Sequence, residues 1–165
     1  MPQPTLDTLF HDGLRDILYA ERKALQGLRK MSRAAQSEEL KQAFETHREE
    51  TEGQVQRLQQ VFETIGKRPQ GKTCPAMDGI IEEAEEIMDE YKGSPAHDAG
   101  LLAAAQANEH YEIARYGTLA SWARQLGNGE AERLLGETLE EEKRTDEILT
   151  GLAESVLNAA SQVPA

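Results

Sequence analysis

The chain has 165 residues, 30 acidic against 18 basic, and a formal charge of -12. It offers no basic stripe to follow a nucleic-acid backbone, its acidic balance disfavours anionic membranes, and its single cysteine, Cys74, excludes an intrachain disulfide. The length suits one domain, residues 1–165, with a full hydrophobic core. A composition dominated by Glu, Ala, Leu, Gln, Arg and Lys favours helices. Met1 to Phe10 carry no basic region followed by an apolar run, and no stretch is apolar for long enough to span a bilayer. The expected setting is cytoplasmic, with no membrane and no nucleic-acid partner.

Thr5 or Asp7 opens the first helix. Phe10, Leu14, Ile17, Leu18, Leu25 and Leu28 recur at helical spacing and predict a helix to about Ala35. Ser37 caps the second helix, with Glu38 and Glu39 in a first turn whose dipole favours them. Ala43, Phe44, Leu58, Val61, Phe62 and Ile65 form its apolar face, and Gly66 stops it with Pro69 just beyond. Residues 66–76 are expected to form a loop. A shorter helix follows from about Met77 to Tyr91, with Ile80, Ile81, Ala84, Ile87 and Met88 on its buried face, and Gly93, Ser94 and Pro95 break it. A third long helix runs from about Ala96 to Leu126 and ends at Gly127-Asn128-Gly129. The fourth runs from about Glu130 to Ala160, with Leu134, Leu135, Leu139, Leu149, Leu152, Ala153, Val156 and Leu157 on its face. Two hairpins of long helices, joined by a long crossover with its own helix, make the topology of an all-α, ferritin-like four-helix bundle.

Acidic residues interrupt these apolar stripes. At about 100° per residue, positions three, four and seven apart share a helix face. Glu21 lies within the stripe of the first helix. Glu50 and Gln54 share a side of the second with His47, Leu58 and Val61. Glu109, Glu112 and Tyr116 lie with Leu102, Ala105 and Ile113 on the third, and Glu142 and Asp146 with Leu135, Leu139 and Leu149 on the fourth. One Glu beside an apolar stripe is commonly a rim residue that reaches water. Agreement on four helices at matching depth argues for a shared centre. Several carboxylates meeting in a core must stay protonated or find cations, and hard oxygen ligands suit iron or manganese. The expected ligands of two metal ions are Glu21, Glu50, Glu109 and Glu142, completed by Glu112, Gln54 and Asp146. Glu50 and Gln54 echo Glu142 and Asp146, as an ancestral hairpin duplication would produce.

His47 is open between two readings, a ligand or a partner of one, and a hydrogen-bonded core histidine. His110 points away from the face of Glu109, and His11 and His97, near helix starts, are expected in solvent. Tyr116 either bonds a ligand or packs. Cys74 is expected to be structural, and Met31, Met77 and Met88 to fill gaps.

The segments LRDILYAERKAL, HREETEGQVQRLQQVF, CPAMDGIIEEA, NEHYEIARYGTL and TLEEEKRTDEIL resemble the YciF-type bacterial stress-protein family, a ferritin-like group, from about Leu6 to Leu157. The resemblance implies a ferritin-like bundle, a dinuclear metal motif and a homodimer, for which Trp122 and Phe62 are candidate surface residues. The Glu-x-x-His pairs of the wider ferritin-like pattern are absent, because Gly53 and Thr145 stand where the histidines would be. Gln54 and Asp146, one residue later, would then make an all-oxygen shell, better suited to binding than to oxidative turnover. The leading expectation is a two-metal stress protein acting on peroxide or dioxygen. The alternatives are a non-enzymatic structural stress protein and, more weakly, an iron store in a multi-subunit shell.

Overall fold

In a computed structural model, residues 3–162 are described, apart from the side chain of Val156, which the sequence put on the last apolar face. Five substantial helices follow in chain order: α1 (Leu6–Ala34), α2 (Glu38–Thr64), α3 (Pro75–Glu90), α4 (His97–Gln125) and α5 (Gly129–Leu152). A π-helical turn (Ala153–Leu157) and the short α6 (Asn158–Ala160) close the described chain. The last long helix is thus interrupted short of its expected end at Ala160. Its wider turn keeps Ala153 and Leu157 both in the core.

The helix ends follow from local chemistry. The Ser37 hydroxyl accepts from Leu40 N at 3.3 Å and the Asn128 side chain from Ala131 N at 3.0 Å, capping α2 and α5. Gly127 has φ +72°, and the Asn128 N–H returns to Ala123 O at 2.9 Å. This left-handed residue ends α4 in a Schellman turn and feeds directly into α5. α3 begins at Pro75, two residues earlier than expected, because proline at the first helical position lacks an N–H that would have no partner there. Cys74 supplies the cap, its Sγ accepting from Met77 N at 3.4 Å.

Four helices form a ring in the order α1, α2, α5, α4, with α3 laid across α1 and α4. Cross-contacts set every neighbouring pair antiparallel: Ser32 meets Glu45, Arg57 meets Thr138, Gln106 meets Thr150, and Gly13 faces Leu119. This is the ferritin-like bundle of two hairpins and one long crossover. A Cβ on Gly100 would lie 2.6 Å from Ile87 Cγ2, so glycine there lets α3 approach α4 closely. The turn between α1 and α2 is pinned from α4. Asp98 accepts from Gln36 N at 2.8 Å and Ser37 N at 2.6 Å, and His97 Nε2 lies 3.1 Å from Ala34 O. His97 is therefore buried rather than solvated, because it holds a carbonyl that the end of α1 leaves free. Phe62 is fully buried and takes no part in any surface patch, whereas Trp122 is partly buried against the core.

The core has two apolar blocks. One gathers Phe10, Leu14, Ile17, Leu58, Phe62, Leu119 and Leu134. The other gathers Leu28, Met31, Leu40, Phe44, Leu101 and Leu149. Burying such side chains stabilises a fold by about 1.5–3 kcal/mol each. The chain positions between them bring buried polar groups into the bundle interior: Glu21, His47, Thr51, Gln54, Asn108, Glu109, Glu112, Thr138, Glu142 and Thr145.

Candidate metal centre

Every helix of the ring contributes to this polar layer: Glu21 from α1, His47 and Gln54 from α2, Glu109 and Glu112 from α4, Glu142 from α5. One donor atom from each of His47, Glu109, Glu112 and Glu142 lies within 4.8 Å of the others. Bonds of about 2.1 Å put opposite donors of an ion about 4.2 Å apart, so small side-chain shifts would close this set on a cation. Glu21 adjoins Glu112, and its Oε1 accepts from the Tyr116 hydroxyl. Asn108 Nδ2 donates to Glu112 Oε2 at 3.0 Å, and Gln54 Nε2 donates to Glu142 Oε1. Outside Gln54, Arg57 holds Glu141 with bonds of 2.9 and 2.8 Å.

These bonds leave much unsatisfied. Glu21 Oε2, Glu109 Oε2, Glu112 Oε1, Glu142 Oε2, Gln54 Oε1 and Asn108 Oδ1 are buried without a hydrogen-bond partner. His47 Nε2 lies 2.8 Å from Glu109 Oε1, close enough for an ion pair but outside hydrogen-bond alignment. So many orphaned acceptors in one layer are costly, and a cation would satisfy them together. The donors fit such an ion: carboxylates are hard ligands, and one imidazole suits the first-row transition series.

Without an ion the layer must neutralise itself. Burial pushes Glu21 up to about 7, against the lowering effect of the Tyr116 hydrogen bond. Burial also raises Glu112, helped by the charges of Glu21, Glu142 and Glu109, and raises Glu142, with Glu109 adding to the effect. Glu109 goes the other way: burial is the largest single influence and would raise it, but the charge of His47 and the polar contacts from Glu142, His47 and Asn108 together lower it. His47 is correspondingly raised by Glu109 although burial opposes its charge. In the metal-free centre burial thus favours the protonated forms of Glu21, Glu112 and Glu142 around the His47–Glu109 pair.

Of the seven residues expected as ligands, Glu21, Gln54, Glu109, Glu112 and Glu142 come together in the buried layer, and Glu50 and Asp146 do not. Glu50, with a side chain 42% exposed, sits at the rim near His47 and Thr145. Asp146 turns to the outside of the α4–α5 seam, 3.2 Å from both Gln106 Nε2 and His110 Nε2. Each lies about 70° from the centre of its helix's buried face, at about 100° per residue. A pair four apart can therefore straddle the edge of a face, and the duplication echo does not produce equivalent positions. His47 does join the group, so the donors are not all oxygen. The spacing of His47 to Thr51, Gln54 and Leu58 was the sequence signal for it.

Fold and site together define a helical bundle with a buried carboxylate–histidine centre. The chain belongs to the family described as "Domain of unknown function (DUF892)", which it matches over residues 5–162. It is 45% identical over 163 residues to protein YciF of Escherichia coli (strain K12), covering 98% of each chain. The crystal structure of the E. coli stress protein YciF superposes with a TM-score of 0.90 at 46% identity, over 94% of this chain and 99% of that one. YcfI of Rhodopseudomonas palustris, whose description proposes a structural role, superposes with a TM-score of 0.87 at 46% identity, over 89% and 94% of the two chains. A Xanthomonas campestris protein at 23% identity shares the fold, with a TM-score of 0.76 over 94% and 96%. Among the described residues no helix is long and apolar enough to cross a membrane.

Proposed function

We propose that the protein binds two divalent ions, iron or manganese, through Glu21, His47, Glu109, Glu112 and Glu142, with Gln54 orienting Glu142. The observation that carries this reading is four buried carboxylates, each with one oxygen that has no partner. Charge balance supports two ions, since four ionised carboxylates match two divalent cations and neutral His47 donates a lone pair. The protons on Glu21, Glu112, Glu142 and the His47 ring leave as metal binds. Bound iron or manganese would supply one-electron chemistry toward peroxide or dioxygen. The chain's own part is to orient the ligands through Tyr116, Asn108 and Gln54 and to exclude water with the two apolar blocks. A stress protein as relative makes peroxide the first substrate to test. A homodimer in the cytoplasm completes the proposal, and sedimentation of the pure protein tests the dimer.

A second reading is a structural stress protein whose metal serves stability. It is favoured by the His47–Glu109 ion pair, which lets the centre persist without metal, and by the role proposed for YcfI. Loading metal-free protein with Fe²⁺ or Mn²⁺, measuring bound metal, and adding peroxide separates the two. Two ions per chain with peroxide consumption supports the first reading. Two ions without turnover supports the second, and less than one ion per chain contradicts both.

A further inference from the structure

Glu50 stands outside the buried layer, yet it is not an ordinary surface glutamate. It lines a groove of about 310 Å³ between α2 and α5, together with Thr46, His47, Thr145 and Ile148. Glu39 also lines it, and neither Lys nor Arg is among the lining residues. Glu50 Oε2 accepts from Thr145 Oγ1 at 3.4 Å and lies 3.9 Å from His47 Nδ1. The opposite nitrogen of the same ring, Nε2, faces Glu109 at 2.8 Å. The His47 ring thus has one nitrogen toward the groove and one toward the buried carboxylates. Behind it wait Glu109 Oε2 and Glu142 Oε2, both buried and unpartnered.

The other approach to the centre is different in kind. The pocket beneath α3 reaches Glu109 and Asn108 between Ala24, Ile81 and Ala104, but it has room for about one water and an apolar wall. A hydrated cation would lose its water there with nothing in return. In the α2–α5 groove it meets carboxylates first and can exchange water for them stepwise.

We propose that the α2–α5 groove admits divalent cations and that Glu50 is the carboxylate that receives them, passing them by rotation of His47 and Thr145 to Glu109, Glu112 and Glu142. The inference rests on the metal-binding reading above. Glu50 is here a positioning residue and not a ligand of the filled centre.

Stopped-flow uptake of Co²⁺ by metal-free protein, followed by its visible absorption, tests this together with the final metal content. Glu50→Gln should slow uptake by about tenfold or more and leave the final content equal to wild type. Thr46→Trp, which fills the mouth of the groove, should slow uptake in the same way. Asp146→Asn, which removes an equal charge outside the groove, should leave the rate within about twofold of wild type. Unchanged uptake in both Glu50→Gln and Thr46→Trp would overturn the route while leaving the centre intact. Reduced final content in Glu50→Gln would make Glu50 a ligand and overturn its assigned role. Absence of uptake by the wild-type protein would overturn the metal reading itself, and the route with it.

Discussion

The two sides of the polar layer are built from similar residues and behave differently. On the α1–α4 side, Glu21, Glu109 and Glu112 are buried, and the crossover helix α3 packs across both helices, over Glu109. There the carboxylates are sealed, and burial raises both Glu21 and Glu112 above the ordinary carboxyl value. On the α2–α5 side no helix among the described residues lies over the seam. Glu50 reaches solvent there, and the nearby His47 ring with its charge, 3.9 Å away, holds its carboxyl below the ordinary value. Whether a glutamate becomes a buried, proton-holding ligand candidate or a surface receiver thus depends on what covers its helix as much as on its own stripe.

The contrast can be broken most strongly at its sealed end. Glu112→Leu removes the carboxylate between Glu21 and the other donors. It should cost at least one ion per chain, with affinity at the remaining position falling by about a hundredfold. The metal-free variant should be more stable by about 1–3 kcal/mol, because an apolar side chain replaces a buried ionisable group. Titration calorimetry and denaturant melts check both halves.

The second prediction concerns pH. Burial raises Glu21 to about 7, while in the unfolded chain it ionises at an ordinary carboxyl value near 4.3. Between those values the folded state holds the extra proton, so stability of the metal-free protein falls as pH rises. Glu21 alone accounts for about 4 kcal/mol of that loss. Glu112 and Glu142 act in the same direction. His47, raised by Glu109, also loses its contribution as pH climbs through its folded value. Glu109 opposes the trend, since its lowered value favours folding above the ordinary carboxyl range. Urea melts from pH 4 to 8 should show a net decline without metal. With saturating metal the slope should reverse, because binding releases protons.

A third, smaller effect lies away from the centre. Asp98→Ala strips two backbone N–H groups of the α1–α2 turn of their acceptor and should cost about 2 kcal/mol. Bound metal per chain should not change, which separates loss of the pin from loss of the site. The smallest pair of effects sharpens the inside–outside distinction. Gln54→His brings a second imidazole into the layer and should raise preference for zinc over manganese by about tenfold. Asp146→His, its partner in the sequence echo, should leave that preference within about twofold, and competition titrations resolve the difference.

Much of this architecture was legible in the chain. The helices announced themselves through Ser37, Gly66 and Gly127, because caps and stops are local chemistry that a sequence carries openly. Glu21, Glu109, Glu112 and Glu142 were legible as carboxylates set into apolar stripes, and the structure buries all four. Glu50 and Asp146 were not separable from their neighbours, because a residue about 70° off the face centre still shares spacing with residues inside it. His97 and Asp98 gave no sign of their role, since the backbone groups they hold lie about sixty residues away along the chain. His47 was ambiguous for a further reason. A core histidine and a metal ligand look alike in sequence, and only the convergence of Glu109, Glu112 and Glu142 from two other helices distinguishes its surroundings.

Anomalous scattering tests most directly whether the buried layer is a metal centre. Crystals of protein grown with manganese or iron, measured on both sides of the metal's absorption edge, should give two difference peaks per chain. Both are expected within bonding distance of Glu112, one shared with His47, Glu109 and Glu142 and the other with Glu21. Full-occupancy crystals with no peak in that layer, or with metal only on the protein surface, would contradict a metal centre there.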